Sequence, residues 1–287
     1  MINNNNKLIF KAGNAKLSKS IATFSLPAGH TCPFAKECLS KANRLTGKIV
    51  DGQHCKFRCF SASQEVRPTV RHARWENFDK LREAETVDKM ARLIQRSIPW
   101  GLNIVRNHVS GDYYSEKYFL AWLNVAKNNP SMTIYGYTKA TPFLVEYRKY
   151  IPPNFRFTAS KGGTCDNLIS KHRLKFAEVV YSEQAAIDKD LEIDHDDMLA
   201  LKHEKNFALL IHGTQPPGTE ASRAWVALMR QGKGGYSKKG TYRRGVHEEK
   251  PLTIYITLKG GEIYLPQRVK GFKYSPSPTG KAVKKIF

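Results

Sequence analysis

The chain is short of acidic side chains. Its 25 aspartates and glutamates stand against 47 lysines and arginines in 287 residues, giving a formal charge of +22. Such an excess creates a long-range positive field that attracts polyanions, nucleic acid first among them. Long apolar runs are missing as well, so no segment reads as a membrane span. The charge is spread over many segments instead of one amphipathic helix, which argues against an anionic membrane surface. No Walker lysine loop, GxSxG elbow or HExxH motif occurs, so NTPase, α/β-hydrolase and zinc-protease readings lack support. An apolar leader is not seen either: Met1 to Lys7 is polar and Asn-rich, and a reducing cytoplasm is the expectation.

Cysteine is scarce, with five in all, yet four fall between Cys32 and Cys59. The stretch reads Cys32-Pro33-Phe34-Ala35-Lys36-Glu37-Cys38, then a loop, then His54-Cys55-Lys56-Phe57-Arg58-Cys59. A reducing compartment makes disulfides the weakest cause of this bunching. Zinc accepts two cysteine pairs but usually at tighter spacing, while an iron–sulfur cluster tolerates more varied spacing. Both metal readings stay open on Cys32, Cys38, Cys55 and Cys59. Cys165 reads as a lone core or helix-start cysteine.

A hydrophobic content of 41% supports a sizeable core. Ser20 to Leu26 reads as a strand feeding the cysteine loop, and Arg67 to Ile98 carries apolar residues at helical spacing. Strands are expected at Leu102–Val109, Met132–Thr138, Phe155–Ser160, Ala177–Tyr181 and Phe207–Ile211. Helices are expected after Ser115, at Phe143–Tyr150, at Asp166–Leu174 and at Glu220–Arg230. Alternation of this kind implies a parallel sheet with right-handed crossovers. The fold class is therefore α/β: a partial (β/α)6-type barrel or an open parallel sheet, with the cysteine loop after the first strand. Ligands in such folds sit at the carboxyl ends of strands. The polar clusters fall there: Ser110-Gly111-Asp112, Thr138-Lys139, Ser160-Lys161-Gly162-Gly163, Ser182-Glu183 and His212-Gly213. Their glycines would let a ligand approach the backbone, and Ser110, Gly111, Asp112, Ser160 and Lys161 are the candidate cofactor-binding residues.

This order of elements resembles the radical S-adenosylmethionine (SAM) enzymes. There a partial barrel holds a [4Fe–4S] cluster by three cysteines after the first strand, and a Gly-Gly-Glu-like stretch ending the second strand holds the amino group of SAM. Ser110-Gly111-Asp112 stands where that stretch would fall, and Cys59-Phe60-Ser61-Ala62 follows the aromatic flavour of the cysteine loop. The usual C-x3-C-x2-C is absent, and four ligands would leave no iron open to SAM. Over most of residues 7 to 230 the chain is also similar to a phage family known as gene product 88. The likeness is carried by Lys16 to Cys32, by His108-Val109-Ser110-Gly111-Asp112-Tyr113-Tyr114-Ser115 and by His212-Gly213-Thr214-Gln215-Pro216. It implies a viral origin, hence the host cytoplasm, and one shared fold.

Two basic stretches support the polyanion reading. Arg67, Arg71 and Arg74 are spaced to share one helical face. Lys238, Lys239, Arg243 and Arg244 interleave with Tyr236 and Tyr242 in a Gly-rich loop suited to phosphate contact and base stacking. The acidic run Asp188 to Asp197 lacks the glycine and closing glutamate of a calcium loop and reads as a solvated loop pairing with basic neighbours. Asp194-His195 as a divalent-ion site is the minor alternative. Leu252–Leu258 and Glu262–Leu265 alternate around Gly260-Gly261, a hairpin signal. The division expected is an α/β core over 1–230 and a basic loop, hairpin and tail over 231–287. Two functions follow: a radical-SAM-like enzyme acting on nucleic acid or a nucleotide, or a non-catalytic metal-stabilised protein binding nucleic acid or a host protein.

Overall fold

The computed structural model describes residues 7–14 and 17–233, with the backbone of two further strands at 257–259 and 262–264. The chain divides into two compact units, Met1–Gly245 and Val246–Phe287. In the first unit, β1 (Lys11–Ala12) and β2 (Ile21–Ser25) lead into a small hairpin, β3 (Ser40–Ala42) and β4 (Ile49–Asp51). Then come α1 (Phe60–Gln64), α2 (Pro68–Glu83), α3 (Val87–Ser97), β5 (Ile104–Ser110), α4 (Glu116–Asn128) and β6 (Thr133–Thr138). α5 (Thr141–Glu146) precedes β7 (Phe155–Ser160), α6 (Asn167–Lys171), β8 (Phe176–Val180) and α7 (Glu183–Ile187). β9 (Glu192–Ile193), α8 (Met198–Lys202), β10 (Phe207–Leu210) and α9 (Glu220–Arg230) complete it.

Local chemistry sets many of these boundaries. Ser115, Thr86, Ser182 and Thr219 each accept a backbone N–H in the first turn of the helix they precede, as N-cap residues do. Pro68 opens α2, where its missing N–H costs nothing. The helical stretch expected over Arg67–Ile98 is two helices, because Glu85 turns left-handed (φ 58°) and Thr86 caps a new start.

Eight strands form one sheet in the order β1-β2-β5-β6-β7-β8-β10-β9, with β1 antiparallel and the rest parallel. From β2 to β10 the neighbours follow chain order, the sequence of a partial barrel, but the sheet is open. Right-handed crossovers in one direction place the connecting helices on one face. There Phe24, Val105, Ile134 and Phe157 meet Leu93, Ile94, Phe119 and Trp122 in the main core. The opposite face is covered differently. Tyr135, Ala177 and Phe207 pack with Ala200 and the partly buried Leu199 and Leu201 of the short α8.

β5 is irregular. Thr23 pairs with Arg106 but Ser25 with Ser110, so β5 carries extra residues, and His108 sits at φ 54°. The bulge turns both Asn107 and His108 towards Tyr113 and Tyr118. Bulges re-aim side chains in this way and are frequent beside functional sites. In the second unit, β11 (Thr257–Lys259) and β12 (Glu262–Tyr264) pair antiparallel in the expected hairpin, with Leu258 opposite Ile263. Lys238, Lys239, Arg243, Arg244 and the basic C-terminal tail lie outside the described residues. No helix among the described residues is long and apolar enough to cross a membrane.

Candidate functional site at the carboxyl edge of the sheet

The cysteine loop lies across the carboxyl edge of the sheet and touches down at three strand ends. At β5, Leu26 N–H donates to the Ser110 carbonyl at 2.8 Å. Gly111 has φ +82°, and a Cβ there would meet Thr31 Oγ1 at 2.5 Å and Leu26 Cβ at 2.7 Å. At β7, the Gly162 carbonyl accepts from Lys36 N–H (3.2 Å) and Glu37 N–H (2.9 Å), and Thr164 N–H donates to the Phe34 carbonyl (2.9 Å). Past β10, Gln215 exchanges two hydrogen bonds with the Arg58 backbone, accepting at 2.7 Å and donating at 3.0 Å. There Gly213 admits Phe60, whose Cβ would lie 2.8 Å from an added Cβ. The strand-end glycines that suggested ligand approach thus admit the chain's own loop.

Beneath the loop is a cavity of about 460 Å³, within the range of small-molecule sites. Cys32, Cys38 and Cys59 line it; Cys55 does not. The three lining thiols are near enough to feel one another's charge, and Cys55 feels that of Cys38. Burial pushes the Cys32 thiol well up, helped by the charges of Asp112, Cys59 and Cys38. Burial, with Cys38, pushes Cys59 up to about 11, against the pull of the Ala62 and Ser61 N–H groups and the Arg74 charge. Cys55 turns away: its thiol donates to the Phe57 carbonyl at 3.0 Å and lies 3.6 Å from Ser40 Oγ. Cys55 therefore stands near Cys38 without facing the cavity. Among the described residues no three His, Cys, Asp or Glu side chains gather tightly enough for a single metal ion.

The other candidate residues divide. Ser110, Gly111, Asp112 and Ser160 line the cavity with the cysteines, and Lys161 does not. Lys161 pairs with Glu178 at 2.8 Å and sits 4.2 Å from the Phe176 ring centroid. Asp112 is 4% exposed and accepts from Tyr113 N–H (2.8 Å), Thr138 Oγ1–H (2.5 Å) and Lys139 N–H (2.7 Å). It staples the end of β5 to the end of β6. A carboxylate has about four acceptor positions, so one remains. Burial raises its pKa against those three bonds and the Lys139 charge. Lys139 Nζ caps β7 through the Ser160 and Lys161 carbonyls and Ser160 Oγ. Ser110 Oγ is buried with no hydrogen-bond partner.

The shared arginine face turns inward. Arg71 donates to the carbonyls of Glu65, Arg44 and Leu45, and Arg74 to Ser61 O and the Glu65 carboxylate at 2.7 Å. Both are buried, and only Arg67 of the three is exposed. A phosphate-binding stripe of all three is thus corrected: the face that should meet nucleic acid instead ties α2 to the cysteine loop. The acidic run is likewise only partly solvated. Asp194 and Asp197 are buried, and Asp197 pairs with Arg106 at 2.8 Å, while Glu192 pairs with Lys205.

Sequence reasoning passed over Arg106, which lines the same cavity from the middle of β5. The signal was a run of polar residues, Arg106-Asn107-His108, in the middle of an expected strand. It also passed over Glu65, fully buried between Arg74 and the Ala28 N–H.

Fold and site together define an α/β protein whose open, mostly parallel sheet carries a cysteine-bearing loop over a cavity at its carboxyl edge. The chain belongs to the phage Gene product 88 family, whose match covers residues 1–228. No curated protein and no solved structure matches it.

Proposed function

We propose that this phage protein is an iron–sulfur enzyme of radical-SAM type, working in the host cytoplasm on a nucleic acid or nucleotide. The observation that carries the reading is the three-and-one division of the loop cysteines. Cys32, Cys38 and Cys59 face one cavity, and Cys55 does not. Three ligands suit a [4Fe–4S] cluster with an open iron, and ligands on separate irons stand farther apart than four sharing one zinc ion. The donor set fits such a group: buried neutral thiols become good ligands when a cationic centre replaces their protons. The cluster would supply one-electron chemistry. For an aminated cofactor beside it, this chain offers the remaining acceptor position of Asp112 and the partnerless Ser110 hydroxyl.

Iron and sulfide analysis with a visible spectrum of anaerobically purified protein tests this. Iron near four per chain is expected for the parent and for Cys55→Ser, with most of it lost in Cys32→Ser, Cys38→Ser and Cys59→Ser. Loss in Cys55→Ser equal to the others, or stoichiometric zinc, overturns it. Calorimetry with SAM on the loaded protein tests the cofactor separately.

The +22 charge favours a second reading, a non-catalytic accessory protein that binds nucleic acid or an acidic host protein. Such a protein would ignore SAM. Its duplex affinity would fall with salt at a log–log slope of roughly −0.9 per phosphate neutralised.

A further inference from the structure

The cavity extends beyond the thiols to the inner face of the sheet, where its chemistry changes. Arg106 is held there on three sides. Its Nε donates to Asp197 Oδ2 at 2.8 Å, and Nη1 donates to the carbonyls of Asn107 (2.7 Å) and His108 (3.1 Å). The guanidinium also lies over the Tyr137 ring, 4.4 Å from its centroid. The His108 carbonyl belongs to the bulge in β5, so the irregular strand is part of the clamp. These contacts leave the Nη2 edge of a fixed, planar donor on a cavity wall. Burying an arginine at 7% exposure to present one edge is costly for structure alone.

Two further cations line the same cavity. Lys11 sits on β1 opposite Thr23, and Arg67 sits at the start of α2. Both are exposed, and neither forms an ion pair among the described residues. The other cations on the walls are already engaged: Arg58 with Asp51, Arg74 with Glu65, and Lys139 with backbone carbonyls. Asp197 balances the Arg106 charge, so the uncompensated cations of the cavity are Lys11 and Arg67, mobile donors that stand beside the rigid donor Arg106. Arginine forks and lysine ammonium groups in this combination recognise phosphate. Ser110 Oγ, buried without a hydrogen-bond partner among the described residues, adds a neutral hydroxyl to the lining.

We propose that the inner-face half of the cavity binds the phosphate of a nucleotide-sized ligand, with Lys11 and Arg67 as the outer contacts and Arg106 as the inner one. This deepens the enzymatic reading by naming the substrate class, a phosphorylated nucleoside unit, and it rests on that reading only for the chemistry that follows binding. The phosphate comes either from a free mononucleotide or from the end of a nucleic-acid strand.

Calorimetry on the full chain, with and without iron loaded, uses three probes: pyrophosphate, AMP and a 5′-phosphorylated single-stranded hexanucleotide. Binding of at least one probe is expected. Lys11→Gln and Arg67→Gln, which touch only the surface, should each weaken it about three- to tenfold. Arg106→Gln should weaken it more than tenfold. Because Arg106→Gln removes the cation paired with Asp197, it is read beside Arg106→Gln/Asp197→Asn, which removes both charges and should bind as weakly. AMP binding with a silent hexanucleotide identifies a free nucleotide, and the reverse identifies a strand end. No heat from any probe, or undiminished binding in Lys11→Gln and Arg67→Gln together, overturns the proposal. Iron loading without phosphate binding removes this proposal and leaves the cluster; phosphate binding without iron does the opposite.

Discussion

Replacing Arg74 by methionine separates the two roles that its position suggests. In the folded chain its Nη1 lies 2.7 Å from Glu65 Oε1, with side-chain exposures of 6% and 0%. Nη1 also donates to the Ser61 carbonyl at 2.8 Å and Nη2 to Gln64 Oε1 at 2.6 Å. Methionine fills much of the same space but leaves the Glu65 carboxylate buried with one remaining donor, the Ala28 N–H at 2.8 Å. Its Oε2 has no partner even in the parent. Removing one member of a buried pair costs about 3–5 kcal/mol. With a urea slope near 3 kcal/mol per molar, the midpoint should fall by about 1–2 M. Arg74→Met/Glu65→Gln keeps an acceptor for Ala28 without the stranded charge, so it should recover more than half of the loss. Urea titration followed by circular dichroism measures both variants. A loss below about 1 kcal/mol in Arg74→Met, together with weakened nucleic-acid binding, would refute the buried-clamp account and restore the arginine face as a phosphate contact.

Gly111→Ala should destabilise by about 2–4 kcal/mol, combining a left-handed backbone with overpacking against Thr31 and Leu26. Gly101→Ala is its control, since Gly101 has φ +81° with nothing within 4 Å of an added Cβ, and should cost about 1–2 kcal/mol by the same unfolding assay. Acid should weaken the fold early. Burial, with the Arg106 charge, holds His108 well below the usual histidine range, and burial lowers His203 as well. Below about pH 6.5 the unfolded chain binds protons that the folded chain refuses, so the histidine contribution to stability falls as pH falls and is level above that point. The slope is about 1.4 kcal/mol per pH unit for each histidine. His108→Gln should make the decline between pH 6.5 and 5 shallower in urea titrations; an unchanged slope would refute the assignment to His108.

The elements of the sheet were legible because each follows a short-range rule. Phe155–Ser160 and Glu220–Arg230 lie where periodicity and capping residues put them. The hairpin β3–β4 inside the cysteine loop was not legible. Ser40–Ala42 and Ile49–Asp51 are three residues each, with no strong alternation, and they pair because the loop is anchored at both ends. β9 is hidden likewise in an acidic run whose Asp194 and Asp197 are buried, and the short α8 follows it directly.

By itself the sequence determined the α/β class, the strand-end position of the polar clusters and the cysteine loop as a feature following the first long strand. These depend on the order of residues along the chain. Only the tertiary structure decided which side chains share a space. Spacing of four and three puts Arg67, Arg71 and Arg74 on one helical face, but whether that face meets solvent or Glu65 depends on what the rest of the chain lays against it. Four cysteines in a row of loops look equivalent until the loop is draped over three strand ends. That path turns Cys32, Cys38 and Cys59 to the cavity and Cys55 to the Phe57 carbonyl. Arg106 joins them because the parallel sheet brings the middle of one strand beneath a loop that begins at Cys32, 74 residues earlier, a distance no local pattern spans.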